Sequence, residues 1–280
     1  MALKFWRYHA LGNDYLVMDR GSLLGLDMRA TALRICDRHF GVGSDGILVN
    51  EGSSSSDTFS LRIVNPDGSE AEKSGNGLRI FARFLFDQGL VTIAPFKVMT
   101  AGGEVLCRVL HEGKTVQVDM GAVSFVSSEI PVRGERREFL HEELEVGGRK
   151  VSFCAATVGN PHCVVLDVGC VPEQAMRLGP LVEVHPLFPN RTNVQFLRVL
   201  DRKTIQIEIW ERGAGYTLAS GSSASASAAV ARRLGLVDDA VRVVMPGGTL
   251  DIAISPEYKI RMTGPVTRVA EGVIDPECLG

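Results

Sequence analysis

Short runs rich in β-branched and aromatic residues dominate the chain, and turn-forming residues separate them. Runs of this kind, bounded by Gly, Pro, Asp or Asn, are typical of β-strands. The pattern predicts strands over residues 59–64, 104–110, 115–120, 163–168, 192–197, 203–210 and 250–254. Segments with helical spacing are fewer, so a sheet-rich protein is expected.

Two segments have the pattern of a helix. After Gly77 one helical face is apolar, and Gly89 provides a stop; the face consists of Leu78, Phe81, Ala82 and Leu85. After Gly221 the chain is almost entirely Ala and Ser until Arg232, and Gly235 follows. A helix that is small on every side suits close packing inside a sheet. The sequence therefore predicts an α+β fold of two halves, each a curled, mostly antiparallel sheet around one central helix.

Each predicted helix begins with a Ser-Gly pair. The first start contains Ser74, Gly75 and Asn76, and the second contains Ser220, Gly221 and Ser222. Small residues leave backbone N–H groups accessible at a helix N-terminus, which binds carboxylate or phosphate. If the two halves face each other, one small anion would be held between two positive helix ends, with a hydroxyl on either side.

Composition and charge limit the cellular location and the partners that can be expected. The net charge of −3 gives no basic footprint for nucleic acid, and no apolar run of about 18 residues or signal peptide is visible. A cytoplasmic protein with no membrane partner is therefore expected. The six cysteines show no Cys-x-x-Cys spacing, so free buried thiols are expected. His162 and Cys163 are neighbours on a predicted strand and point to opposite faces, so no metal site is expected. The charged stretch 129–150 suits an exposed hairpin or loop.

Polar residues stand at several tight turns where Gly or Pro alone would suffice. They are Asn13, Asn65, Asn160, Asn193 and Arg212. Each asparagine taken singly is equally compatible with an ordinary turn residue. Glu211 and Arg212 are likewise compatible with a surface ion pair.

Taken in order along nearly the whole chain, these segments resemble the diaminopimelate epimerase family. The resemblance rests on His9-Ala-Leu-Gly-Asn-Asp-Tyr15, on residues 37–45, on Asn65-Pro-Asp-Gly-Ser-Glu70, on Ser74-Gly-Asn-Gly-Leu-Arg79, on Val158-Gly-Asn-Pro-His162, on residues 188–194, on Glu211-Arg-Gly-Ala-Gly215 and on Met262-Thr-Gly-Pro265. It implies a cofactor-independent isomerase that interconverts LL- and meso-diaminopimelate by moving the α-proton between two bases. Its partners would be a small amino acid substrate and a second copy of the chain, in a homodimer.

The resemblance also implies a fold and a site. Residues 1–118 with 265–280 would form one half and residues 119–264 the other, with the active site in the cleft between pseudo-symmetric domains. Backbone N–H groups of Gly75, Asn76, Gly221 and Ser222 would hold the substrate α-carboxylate. The rest of the substrate would meet Asn13, Asn65, Asn160, Asn193 and Arg212, with Glu211 beside its amino group. Arg212 suits a second carboxylate through its two-pronged guanidinium.

The sequence departs from the family pattern at the two catalytic positions. The family's two catalytic residues are cysteines, and both matching positions here are serines, Ser74 and Ser220. A thiol at a helix N-terminus readily forms thiolate, whereas an unassisted serine hydroxyl is far less acidic. Further departures are Gly46 in place of Gln, Tyr216 in place of Glu and Ser225 in place of a frequent Cys.

Three interpretations of the serines stay open. The chain is an engineered Cys-to-Ser epimerase, or a natural paralogue that isomerises through activated serines or a carboxylate, or a non-catalytic amino-acid-binding homologue. A carboxylate base would lie in the loops nearest the first helix start, which hold Asp45, Asp67, Glu70 and Glu72. Asp45 is the first choice, because it follows the Gly41-Val-Gly43 turn, which could carry its side chain into the cleft. Burial in the cleft would raise its pKa toward neutrality. The alternative is that Asp45 only hydrogen-bonds its own turn.

Overall fold

The computed structural model describes residues 3–166 and 168–280. The chain divides into two compact units, Met1–Val118 with Thr263–Gly280, and Asp119–Met262. The division falls two residues before the boundary at 264 that the resemblance implies.

The elements alternate strands with short helices. The first part of the chain contains β1 (Leu3–Ala10), β2 (Asn13–Asp19), α1 (Arg20–Leu23), α2 (Met28–Ile35), β3 (Ile47–Ser55), β4 (Thr58–Val64), β5 (Glu70–Ala71), α3 (Gly75–Asp87), β6 (Phe96–Thr100), β7 (Gly103–Leu110) and β8 (Thr115–Ala122). The remainder contains β9 (Glu142–Val146), β10 (Arg149–Thr157), β11 (Pro161–Val165), α4 (Pro172–Glu183), β12 (Asn193–Asp201), β13 (Thr204–Glu211), β14 (Gly215–Thr217), α5 (Gly221–Arg233), β15 (Ala240–Met245), β16 (Gly248–Ile254), β17 (Lys259–Pro265) and β18 (Thr267–Ile274).

The first unit is a mixed sheet in which most neighbours are antiparallel. Strand β1 pairs antiparallel with β18 and β2, and β3 pairs so with β4. The pairs β2–β3 and β4–β6 are parallel, and each is bridged by a helical crossover, through α1 and α2 or through α3. Parallel neighbours need such a crossover because a hairpin can join only antiparallel strands.

The second unit repeats this connectivity. Strands β10–β11, β12–β13 and β15–β16 pair antiparallel. The pairs β11–β12 and β13–β15 are parallel, with α4 and α5 as their crossovers. The predicted exposed hairpin within 129–150 is present at its end, where β9 and β10 pair antiparallel.

Strand registers align the two units residue by residue. Leu16 pairs with Ile47 and Ile47 with Val64, as Cys163 pairs with Val194 and Val194 with Trp210. Counting from these pairs, Asn13 corresponds to Asn160, Asp45 to Thr192 and Gly46 to Asn193. Counting forward, Ser74 corresponds to Ser220, Asn76 to Ser222 and Arg79 to Ser225. The two serines therefore occupy the same place in two copies of one topology.

Both long central helices are buried on nearly every side. Helix α5 packs on strands β10 to β13, β15 and β16, and its buried residues run almost without interruption from Gly221 to Ala231. Helix α3 is buried over most of its length and packs on β1, β2 and β7. Both helices end as predicted: Gly89 and Gly235 adopt φ values of 70° and 72° just after the last turn, where the absence of a side chain avoids strain.

The predicted α+β class is confirmed, and strands occur at all seven predicted positions. The strand predicted over 163–168 ends at Val165, and residue 167 lies outside the described residues.

Candidate functional site

Ser74 and Ser220 are the N-cap residues of α3 and α5. Each has extended backbone angles, and each hydroxyl oxygen accepts a backbone N–H of the first turn. The Gly77 amide donates to Ser74 Oγ at 3.0 Å, and the Ser223 amide donates to Ser220 Oγ at 3.4 Å. Serine is among the best N-cap residues. The Ser-Gly pairs therefore open both helices, as the sequence predicts.

The helix starts have the electrostatics of an anion site. The first turn of neither helix contains an acidic residue. Partial positive charge from the aligned peptide dipoles and from N–H groups without an intrahelical acceptor is therefore not offset locally. Asn76 is buried at the start of α3, and Ser223 at the start of α5. Either helix start can therefore take a carboxylate.

In the first unit, three of the predicted site residues form one hydrogen-bonded group. Asn13 Nδ2 donates to Asp45 Oδ2 at 2.7 Å, and Asn76 Nδ2 donates to Asn13 Oδ1 at 3.0 Å. Asn65 does not join this group through any contact recorded among the described residues. Its Nδ2 donates instead to Ser69 Oγ at 2.9 Å, within the turn that follows β4.

The environment of Asp45 differs from both sequence-based interpretations. Its side chain is 38% exposed, so the burial expected for a base at this position is not present. Its hydrogen bonds reach beyond its own loop: Arg38 Nη2 of the same loop donates to Oδ1 at 2.7 Å, and the Asp14 amide donates to Oδ2 at 3.0 Å. With Asn13, three donors meet this carboxylate, so its contacts are those of a residue that holds other groups in place.

Asp14, next to Asn13, is a buried carboxylate between two arginines. Arg38 Nη2 donates to Oδ1 at 2.7 Å, and Arg7 donates to Oδ2 at 2.9 Å and 2.5 Å through Nε and Nη2. Burial alone would raise the pKa of Asp14, but the hydrogen bonds and charges of Arg38 and Arg7 outweigh it, and the pKa lies below its usual value. Asp14 therefore stays ionised and fixes the loop that carries Asn13.

In the second unit, the predicted asparagines tie loops together. Asn193 donates to the Pro161 carbonyl at 2.9 Å through Nδ2, and its Oδ1 accepts the Arg212 amide at 3.0 Å. Asn160 Nδ2 donates to Ser222 Oγ at 3.4 Å. The turn with Arg212, the Asn160 loop and the start of α5 thus belong to one connected polar region.

The side chain of Arg212 is only partly committed. Arg212 is exposed, and its Nη1 donates to the Asn190 carbonyl at 3.0 Å. Glu211 accepts from the Thr217 hydroxyl at 3.0 Å. Most guanidinium donors of Arg212 remain for an external carboxylate.

His162 and Gln195 belong to this region but were not among the predicted site residues. His162 is fully buried, its Nε2 lies 3.0 Å from Asn160 Oδ1, and Gln195 Nε2 lies 3.1 Å from His162 Nδ1. Gln195 Nε2 also donates to Ser223 Oγ at 2.9 Å. Burial lowers the pKa of His162 to about 3, so the ring is neutral. A neutral ring with the proton on Nε2 satisfies both contacts, and it fixes the Asn160 amide.

Glu183, at the end of α4, was also not identified from the sequence. It is 4% exposed, and it accepts from Trp210 Nε1 at 2.6 Å, from the Gly213 amide at 2.9 Å and from Arg191. Its backbone carbonyl accepts the Thr192 amide at 3.1 Å. Glu183 thus contacts Arg191 and Thr192, which precede Asn193, and also Gly213, which follows Arg212.

Within residues 3–166 and 168–280, no three His, Cys, Asp or Glu side chains gather as a metal site would require. No helix in that part of the chain has the length and apolar character needed to cross a bilayer.

Comparison with known proteins identifies the family. The model of the family described as diaminopimelate epimerase matches residues 5–126 and 154–269. "Diaminopimelate epimerase 2" of Nostoc sp. is 56% identical over 275 residues, covering 98% of this chain and 96% of the relative. The diaminopimelate epimerase of Stutzerimonas stutzeri is 43% identical over 276 residues, covering 98% and 99%.

Solved structures share the fold. A hydroxyproline epimerase from Agrobacterium vitis, solved with trans-4-hydroxy-L-proline, superposes with a TM-score of 0.70 at 17% identity, covering 100% of this chain and 94% of that one. A PhzF-family phenazine biosynthesis protein from Bacillus anthracis gives 0.71 at 18% identity, covering 98% and 99%. The family-model match and the extended sequence identity lead to one assignment: the chain belongs to the diaminopimelate epimerase family.

Proposed function

We propose that this chain is a cofactor-independent isomerase that binds diaminopimelate and exchanges its α-proton at the starts of α3 and α5. The observation that carries the proposal is 56% identity over nearly the full length to a relative named diaminopimelate epimerase 2. Support comes from two N-capped helix starts at equivalent places in a repeated topology, each bordered by an asparagine.

We assign the carboxylate cradle to backbone N–H groups at the two helix starts, those of Gly75 and Asn76 in α3 and those of Gly221 and Ser222 in α5. When a base removes the α-proton, the electron pair left on carbon delocalises into the carboxylate. The second negative charge then sits where helix N-termini stabilise it. Return of a proton on the opposite face inverts the centre. The cradle thus lowers the barrier for both steps without a cofactor.

Ser74 and Ser220 occupy the family's two proton-transfer positions. Both hydroxyl oxygens accept helix N–H groups. In the described part of each unit, no carboxylate, imidazole or amine is recorded as a hydrogen-bond partner of either hydroxyl. A serine without a neighbouring base is a poor general base near neutral pH. This observation favours slow exchange, and it favours a second candidate function, an amino-acid-binding protein that does not turn over.

Arg212 is proposed to bind the distal carboxylate of diaminopimelate, with Asn65, Asn160, Asn193 and Glu211 completing the pocket. Lysine is the matched ligand, because it has the same chain and amino groups but no distal carboxylate. We expect Arg212→Ala to weaken diaminopimelate binding about tenfold, toward the lower end for a charge-assisted contact since Arg212 is exposed.

Calorimetric titration of both ligands into both proteins measures this. Lysine affinity should be the same in the native protein and in Arg212→Ala. Equal weakening of the two ligands would refute the role of Arg212. A folded native protein that binds neither diaminopimelate stereoisomer would refute the proposed function itself.

A further inference from the structure

Four side chains beside the start of α3 are hydrogen-bonded in a line. Asn13 Nδ2 donates to Asp45 at 2.7 Å, Asn76 Nδ2 donates to Asn13 Oδ1 at 3.0 Å, and Arg79 Nη2 donates to Asn76 Oδ1 at 2.8 Å. This series from Asp45 through Asn13 and Asn76 to Arg79 is called the amide relay below. All four residues belong to the first unit.

The two ends of the amide relay fix its direction. An ionised carboxylate can only accept hydrogen bonds, and a guanidinium can only donate them. If either amide turned over by 180°, oxygen would face oxygen at one contact or N–H would face N–H. Asn13 and Asn76 each therefore have one allowed amide orientation. An asparagine without such neighbours is free to present either its oxygen or its nitrogen to a ligand.

Both ends are themselves held. Asp45 receives hydrogen bonds from Arg38 Nη2 at 2.7 Å and from the Asp14 amide at 3.0 Å. Arg79 is fully buried, and its Nη1 donates to the Gly75 carbonyl at 3.2 Å. Burial lowers the pKa of Arg79 to about 9, which still leaves the guanidinium charged at neutral pH. The relay thus runs from a fixed anion to a fixed cation beneath the helix start.

The second unit shows that the fold does not require these charged ends. There Thr192 corresponds to Asp45, and Ser225 corresponds to Arg79. Ser225 Oγ donates to the Gly221 carbonyl at 2.7 Å, as Arg79 does to the Gly75 carbonyl. A hydroxyl is therefore enough to make the helix contact. The presence of a carboxylate and a guanidinium in the first unit therefore needs another explanation. We find it in the amides of Asn13 and Asn76, which lie in series between these two charged groups.

We propose that Asp45 and Arg79 are positioning residues, which hold the amides of Asn13 and Asn76 so that substrate meets N–H donors in a fixed arrangement. This role rests on the function proposed above. Asn13 gives one amide hydrogen to Asp45, and the other is directed to a substrate oxygen. Asp45 then moves no proton, because its oxygens already accept from Arg38, Asn13 and the Asp14 amide.

The test is Asp45→Asn, which removes the acceptor-only end and permits the Asn13 amide to turn over. We expect diaminopimelate to bind about tenfold more weakly, the size of one charged hydrogen bond. The α-proton exchange rate at saturating ligand should stay within about threefold, since no proton-transfer group has changed. The control is Asp57→Asn, an exposed carboxylate that bonds only the hydroxyls of Ser55 and Thr58 in a turn.

Side-chain amide NMR signals of Asn13 and Asn76 supply a readout that needs no ligand. In Asp45→Asn both pairs of signals should move, because the two amides are coupled, and in Asp57→Asn neither should. Unmoved Asn76 signals would overturn the relay. Loss of exchange at unchanged affinity would overturn positioning in favour of a base. If the native protein binds no diaminopimelate, the proposed function fails, and the NMR signals still decide whether the relay exists.

Discussion

Single residues at the two helix starts combine structural and chemical duties. Ser74 and Ser220 cap helices, a task for which serine is well suited. Under the proposed function, the same two positions are those of the family's proton-transfer cysteines. Replacing both serines with cysteines should therefore give more acidic side chains but weaker helix caps. Such a variant should be somewhat less stable even where it is more active.

The buried His162 makes stability depend on pH. Its pKa falls from 6.5 to about 3 on folding because the ring is desolvated. Between these values the unfolded chain binds a proton that the folded chain does not. The contribution of His162 to the free energy of unfolding should therefore be complete above about pH 6.5. As the pH decreases below this value, the free energy should decrease by at most about 1.4 kcal/mol per pH unit from this group.

The variant His162→Gln isolates this contribution, because glutamine can keep a donor toward Asn160 but does not titrate. Urea unfolding at pH 4, 5, 6, 7 and 8 provides the free energies. The native protein should lose more stability than the variant between pH 6 and 4, and both should run parallel above pH 7. Equal slopes throughout would mean that the folded ring accepts a proton freely.

The sequence indicates candidate site residues, but it does not indicate the contacts that these residues make. Asn13, Asn76 and the two serines were identified because they stand at turns and helix starts, which are local patterns. Glu183 reaches Trp210 across 27 positions, and Gln195 reaches Ser223 across 28. Such partners are adjacent only after the sheet has formed, so no spacing rule indicates them. The same limit explains why the sequence favoured Asp45 as a base: Asn13 and the Asp14 amide, which donate to it, lie 32 and 31 positions away.

At the scale of elements, α3 and α5 were predictable and α4 was not. Helix α5 is uniformly small, and α3 has one clear apolar face ended by glycine. Helix α4 contains Pro180 and lacks a side-chain N-cap, so its sequence breaks two helix rules. Burial of Leu178 and Val182 against the sheet compensates. Strand β1 shows buried residues at alternating positions, a signal that could have found it.

Helix α4 approaches Trp210 so closely that only glycine fits at position 179. A Cβ atom there would lie 2.5 Å from both Cβ and Cγ of Trp210. We expect Gly179→Ala to lower the free energy of unfolding by about 1–3 kcal/mol, because the stem of Trp210 cannot move aside without disturbing the Glu183 contact.

The matched control is Gly21→Ala, a helical glycine with no atom within 4 Å of the position that a methyl group would occupy. That change should be neutral or slightly stabilising, since alanine restricts the unfolded chain. Denaturant titration followed by Trp fluorescence measures both. Equal stability of the two variants would show that α4 can shift away from β13 without cost.

At the scale of the whole molecule, one topology occurs twice with different chemistry at equivalent positions. Asn13 and Asn160 both border a helix start, but different residues fix the orientation of their side-chain amides. Asp45 accepts from Asn13, whereas His162 contacts Asn160. The repeat was predictable from two Ser-Gly helix starts. The difference in what supports them was not, because corresponding residues such as Asp45 and Thr192 have no similarity in sequence.

The central claim is the proposed function, in which residues 74 and 220 take the proton-transfer positions. It predicts that the double change Ser74→Cys with Ser220→Cys accelerates α-proton exchange. One positioned general acid or base contributes about 100- to 10,000-fold, so a gain of at least about 100-fold is expected. Ser225→Cys, in the buried middle of α5, is the matched control and should leave the rate unchanged.

The most direct measurement is wash-in of solvent deuterium at the α-carbon of LL-diaminopimelate, since it detects proton abstraction even when turnover is slow. The native chain should exchange slowly, the double cysteine variant at least about 100-fold faster, and the control at the native rate. Fast exchange by the native chain that the double change abolishes would contradict the account, because the serines would then belong to a different mechanism.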